Sequence, residues 1–111
     1  MQTLQAFTLL PVTNEATFSQ PIFLGGGGGN DITLEVFGDA TGFALEFQGK
    51  CEEEKIPWSK LMVTNLNDFT TTNSIIKTGI YKASLIGLSV VRVELKSITT
   101  GVVDVYCRLT K

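Results

Sequence analysis

Histidine is missing from this chain of 111 residues. That absence removes Ser-His-Asp triads, Cys-His nucleophile pairs and zinc sites built on imidazole. Cysteine is scarce: Cys51 and Cys107 stand far apart and neither belongs to a CxxC pair. Without an export signal two free thiols are the expected state, and a disulfide is the alternative. Charge is also thin. Asp, Glu, Lys and Arg make up 18% of the residues, below the usual share of about 25%. Seven lysines and two arginines are scattered without a basic run, and the net charge is −2. The salt-sensitive grip on phosphates that nucleic-acid binding requires is therefore lacking, and no nucleic-acid partner is expected. No apolar run approaches the roughly 20 residues that span a bilayer, so no membrane partner is expected either. The opening "MQTLQAFTLLPVTNE" has no positive n-region and no small-residue cleavage site. It reads as no signal peptide, hence a product kept in a cytoplasm.

What is present has a period of two. Ile32, Leu34 and Val36 share one side of "DITLEVFG"; Phe43, Leu45 and Phe47 share one side of "GFALEFQG", with Ala44, Glu46 and Gln48 opposite. Tyr81, Ala83 and Leu85 alternate with Lys82 and Ser84. Such alternation marks strands with one dry face. Turn residues recur at Gly38-Asp39, Thr41-Gly42, Gly49-Lys50, 65–68, Thr78-Gly79, Gly87 and Thr100-Gly101. The pattern predicts an all-β protein: an antiparallel β-sandwich, Ig-like or jelly-roll-like, of about seven or eight short strands. Residues 1–111 are expected to form a single domain, with 1–24 as lead-in strands and 25–30 as a Gly-rich connection.

The C-terminal stretch "VVRVELKSITTGVVDVYCRLT" reads as a hairpin. Val91, Val93 and Leu95 face one way, as do Val103, Val105, Cys107 and Leu109; all are odd-numbered. Pairing within one sheet then requires opposed residues whose numbers sum to an even value. A three-residue loop, Thr99-Thr100-Gly101, meets that condition and puts Gly101 at the left-handed position of a bulge. This register sets Val93 against Cys107, Leu95 against Val105 and Lys96 against Asp104. It also brings Glu94 diagonal to Arg108 and leaves Arg92 opposite Arg108. Cys107 then reads as a small core residue. Trp58, in "IPWSKLMV", reads as a core anchor, with a ligand-stacking ring as the functional alternative. Pro57 before it points to an edge strand or a strand start.

"PIFLGGGGGND" does not cradle a phosphate. Counted from Gly25, the third glycine of a dinucleotide fingerprint would fall on Asn30, and a strand follows where a helix would be needed. "QGKC" lacks the upstream glycine and the Ser/Thr of a P-loop. The run is a strand-to-strand connection; a hinge that frees 1–24 as an arm exchanged between subunits is the alternative. The acidic "CEEEK" of 51–55 neither alternates ligands nor holds the glycine of a calcium loop, and reads as a solvated loop. No S-x-x-K or G-x-S-x-G arrangement occurs. No catalytic, cofactor-binding or metal-binding residue is assigned, no cofactor is expected, and the chain is not expected to be an enzyme.

The order of "TGFALEFQGK", a charged loop, "PWSKL" and "TGIYKASLIGLSVVRVELKSITTGVVDVYCRLT" resembles a small β-sandwich module of tailed-bacteriophage virion proteins. Phe47, Gly49, Trp58, Tyr81, Gly87, the triplet Val91-Arg92-Val93, Gly101, Val103 and Val105 carry the resemblance, and the upstream lead-in extends it over nearly the whole chain. "CEEEKIP" stands where such modules have an Asp-Gly turn, and Lys82-Ala83-Ser84 where they have Arg-Val-Asp. The resemblance implies a structural virion protein, assembled in the host cytoplasm and working without catalysis. Capsid decoration or cementing leads, through contacts with the major capsid protein or with tail or neck proteins, in a homo-oligomer. The alternative is a carbohydrate-binding, receptor-recognising module of a tail or baseplate, with Trp58, Tyr81 or Tyr106 as its stacking platform.

Overall fold

Alternation becomes strand wherever it was visible. The computed structural model describes residues 3–24, 30–51 and 57–111, and its regular elements there are all strands. They are β1 (Thr3–Thr13), β2 (Thr17–Phe18), β3 (Ile22–Phe23), β4 (Asp31–Phe37), β5 (Ala44–Lys50), β6 (Ser59–Lys60), β7 (Val63–Asn65), β8 (Thr71–Thr72), β9 (Gly79–Ser84), β10 (Val90–Ser97) and β11 (Val103–Thr110). Four of the eleven are only two residues long, too short for alternation to reveal them. Alternation reveals β4, β5, β9, β10 and β11; β7 has only three residues, and β1 buries the adjacent Leu9 and Leu10, so neither shows a period of two. Residues 25–29 of the glycine-rich connection and 52–56 of the acidic loop lie outside the described residues.

Two antiparallel sheets pack face to face as a β-sandwich. The first runs β1-β11-β4-β9-β7-β8; the second runs β2-β10-β5-β6, with β3 also paired to β10. The core between them takes Ile32, Leu34 and Val36 of β4, Leu45 and Phe47 of β5, Tyr81 and Ala83 of β9, Val91, Val93 and Leu95 of β10, and Val103, Val105, Cys107 and Leu109 of β11. Each Val, Leu, Ile or Phe among them, taken fully out of water, contributes about 1.5–3 kcal/mol before entropy is counted. Cys107 sits in this core as a free thiol, and Cys51 is an exposed free thiol.

The C-terminal hairpin does not exist. β10 pairs with β5, Val93 opposite Phe47 and Leu95 opposite Leu45, and with β2 and β3 on its other side. β11 pairs with β1 and β4, Cys107 opposite Leu34 and Val105 opposite Val36. The two strands belong to different sheets. The odd-numbered apolar residues do all point inward, with Val91, Val93, Leu95, Val103 and Val105 at 0% exposure, but they look across the core and not along one sheet. Parity states which way a side chain points; it does not state whether a same-parity strand is a neighbour or an opposite. Lys96 accordingly pairs with Glu94, at 3.7 Å, and not with Asp104. The expected clash of Arg92 with Arg108 dissolves, because they project from the outer faces of different sheets.

Thr99-Thr100-Gly101 serves as the corner between sheets. It docks on the 38–42 turn: Thr41 N donates to Thr100 O at 2.9 Å and Ala40 N to Val102 O at 3.0 Å, while Asp39 Oδ1 accepts from Val102 N at 2.9 Å. The Thr41 and Thr100 hydroxyls also meet. Gly101 has the expected positive φ, 81°.

Candidate interaction surface

β1 is one edge of the first sheet, and among the described strands it pairs only with β11. Its register shifts near Thr3, Leu10 and Thr13, which blunts it as a template for a further strand. After Thr13 the chain crosses to the second sheet and runs along β10. Ser19 joins it there in two ways: its N–H donates to Val93 O at 2.8 Å, and its hydroxyl accepts from Val93 N at 3.0 Å. Leu24 N donates to Ser89 O at 2.8 Å. Residues 5–13 and 17–23 therefore edge the two sheets on one side of the sandwich. Between them opens a groove of about 710 Å³. Its rim is apolar: Val12 is 63% exposed, Phe18 57% and Phe23 66%, with Pro11 and Pro21 beside them. The sequence hid this groove because its two walls belong to different sheets.

The outer face of the second sheet carries an ordered polar ladder. The even-numbered side of β5, expected to be wet, is covered: Glu46 and Gln48 are buried. Gln48 Nε2 donates to Glu46 Oε1 at 2.9 Å and to Glu94 Oε1 at 2.8 Å, and Gln48 Oε1 accepts from Arg92 Nε at 2.7 Å. Lys60 lies 3.6 Å from Glu46 Oε2.

Trp58 is not a core anchor. It is half-buried on this outer face, just ahead of the edge strand β6 that Pro57 foretold. A two-residue strand after a proline brings its ring back over the sheet exterior, where Arg92 Cζ and Lys50 Nζ lie 4.3 and 4.7 Å from its centroid. Of the two tyrosines weighed with it, Tyr81 has its ring in the core and donates its hydroxyl to Lys77 O at 2.8 Å. It cannot be a platform. Tyr106 is half-buried on the outer face of the first sheet, opposite Thr8 and Glu35. The three aromatic rings are thus not brought together.

Titrating groups follow burial. The Cys107 thiol is pushed up to about 11 by loss of water. Tyr81 and Asp104 are raised by burial as well; Asp104 Oδ1 finds no hydrogen-bond partner among the described residues. Asp68 is held below the usual carboxylate range, chiefly by the Thr70 hydroxyl. Among the described residues, no three His, Cys, Asp or Glu side chains gather as a metal site, and no helix is long and apolar enough to cross a membrane.

The family model named XepA matches residues 8–109. The chain is similar in structure to the SPBc2 prophage-derived protein YomS, with a TM-score of 0.82 and 24% identity over 95% of this chain and 90% of that one. It is also similar to the PBSX exported protein XepA, with a TM-score of 0.81 and 22% identity over 97% of this chain. It spans 37% of the length of that protein. No curated protein sequence matches.

Proposed function

This chain belongs to the XepA family and is a phage-related protein, and from that premise we propose that it is a structural component of a tailed-phage particle. Capsid decoration or cementing is the leading role, performed by covering surface between neighbouring subunits and not by catalysis. One observation carries the reading: the apolar rim of the groove edged by β1 and residues 17–23, where Val12, Phe18 and Phe23 stand more than half exposed. Large apolar side chains clustered on a soluble surface mark a contact site. At roughly 25 cal/mol per Å² of apolar area, one contact is weak, and repetition around a shell makes it firm. A particle part is made in the host cytoplasm and leaves with the virion, so the exported character of the PBSX relative fits this role.

Gel filtration with light scattering, alone and with purified capsid shells, tests the proposal. A self-assembled species or co-elution with shells supports it. A monomer at all concentrations that ignores shells rejects it.

A further inference from the structure

Arg92 is held as a fixed fork. Its guanidinium carbon lies 4.3 Å from the centre of the Trp58 ring and 4.4 Å from that of Phe18. Phe18 belongs to β2 and Trp58 leads into β6, on opposite flanks of β10. Nε is tied to Gln48 Oε1. The Gln48 amide cannot turn over, because its NH₂ group serves Glu46 and Glu94; a flip would set its oxygen against two carboxylates and its NH₂ against a cation. The Nη groups, four of the five N–H donors of an arginine, have no hydrogen-bond acceptor among the described residues. Such a planar fork, already oriented, matches the two oxygens of a carboxylate or phosphate.

The local charge agrees. Lys50 lies over the Trp58 ring, and Lys60 and Lys96 neutralise Glu46 and Glu94. An anion approaching these described residues meets four cations and two carboxylates already engaged. Beside the fork, Phe18 keeps more than half its surface in water, an apolar face of the kind on which the C–H face of a pyranose packs.

We propose that the Arg92 fork, flanked by Phe18 and Trp58, binds the carboxylate or phosphate of an acidic sugar. This site goes beyond the assembly role. Phe18 belongs to both surfaces, but Arg92 lies outside the groove, so Arg92 variants separate the two.

Trp58 is the only tryptophan, so intrinsic fluorescence reads this site directly. The protein is titrated at low salt with tetragalacturonate, glucose 6-phosphate, inorganic phosphate and neutral cellotetraose. A saturable change of emission is expected with one of the two acidic sugars, and which one it is identifies the oxyanion. Cellotetraose should give none, and inorganic phosphate should bind more weakly. The R92K variant keeps the charge but loses the fork, and should bind about tenfold more weakly or worse, as expected when a charge-assisted bond is lost. Phe18→Ala, which leaves Trp58 and the Gln48 bond to hold the guanidinium, should weaken the sugar more than it weakens inorganic phosphate, and it serves as the test if R92K does not fold. Silence with both acidic sugars, an equal response to cellotetraose, or undiminished binding by a folded R92K overturns the site. Inorganic phosphate binding as tightly as the sugars overturns the sugar assignment.

Discussion

Gly101 and Gly87 separate two costs that are usually mixed. Both sit at positive φ, 81° and 87°, where a side chain is strained. A Cβ on Gly87 would meet nothing within 4 Å, whereas one on Gly101 would lie 2.6 Å from Asp39 O and 2.8 Å from Ala40 Cα. Gly87→Ala should therefore cost only the dihedral strain, about 1 kcal/mol. Gly101→Ala should cost about 3 kcal/mol or more, since backbone must also move. Urea denaturation of the two variants measures the difference. Cys107 gives a second prediction. Burial raises its thiol from 9.0 to about 11, so the folded state keeps its proton while the unfolded chain loses it. The stability due to this group is complete below pH 9 and falls as pH rises from there to about 11. Two pKa units correspond to about 3 kcal/mol, and Tyr81, also raised by burial, adds loss in the same direction at the top of the range. Urea midpoints at pH 8 and pH 10.5 should show the drop. At pH 8 an alkylating reagent should label Cys51 in the native protein and Cys107 only after unfolding, as mass spectrometry can count.

At the scale of the strand, the error about β10 and β11 is the instructive one. Their inward faces were legible in the sequence because burial imposes period two on each strand separately. Their partners were not legible, because a corner that switches sheets and a loop that reverses within one sheet can use the same residues, including a left-handed glycine. Only the neighbours decide: Thr99–Val102 docks on residues 39–42, a long-range contact that no local pattern announces. The same limit applied to the candidate sites. Trp58 was visible as a large aromatic, but the stack of Phe18, Arg92 and Trp58 unites residues from three separated segments. A double-mutant cycle distinguishes the two arrangements. Lys96 and Asp104 should be additive within about 0.5 kcal/mol, since they lie on opposite outer faces; Arg92 and Gln48 should couple by about 1 kcal/mol or more through their charged hydrogen bond.

The whole molecule offers other proteins its side chains and little free backbone. The outer edges of its sheets end in β8 and β6, each two residues long, and β1 is irregular, so strand addition is discouraged at these places. The groove rim is an apolar surface that stays open, beside single exposed residues such as Phe69 and Ile86 elsewhere. An association driven by that rim has a recognisable response to conditions. Raising sodium chloride from about 0.1 to about 0.5 M shortens the reach of charges but removes little from an apolar contact. Sulfate should strengthen it and cooling should weaken it, because burial of apolar surface is driven by water. Val12→Asp combined with Phe23→Ser places a charge and a hydroxyl on the rim at sites already more than half in solvent. The monomer should therefore melt within a few degrees of the parent, as surface changes cost little, while self-association and co-elution with shells are lost. If binding survives this double change and instead disappears with salt, the contact is made by charge on another face, and the groove is not the surface by which the protein joins a particle.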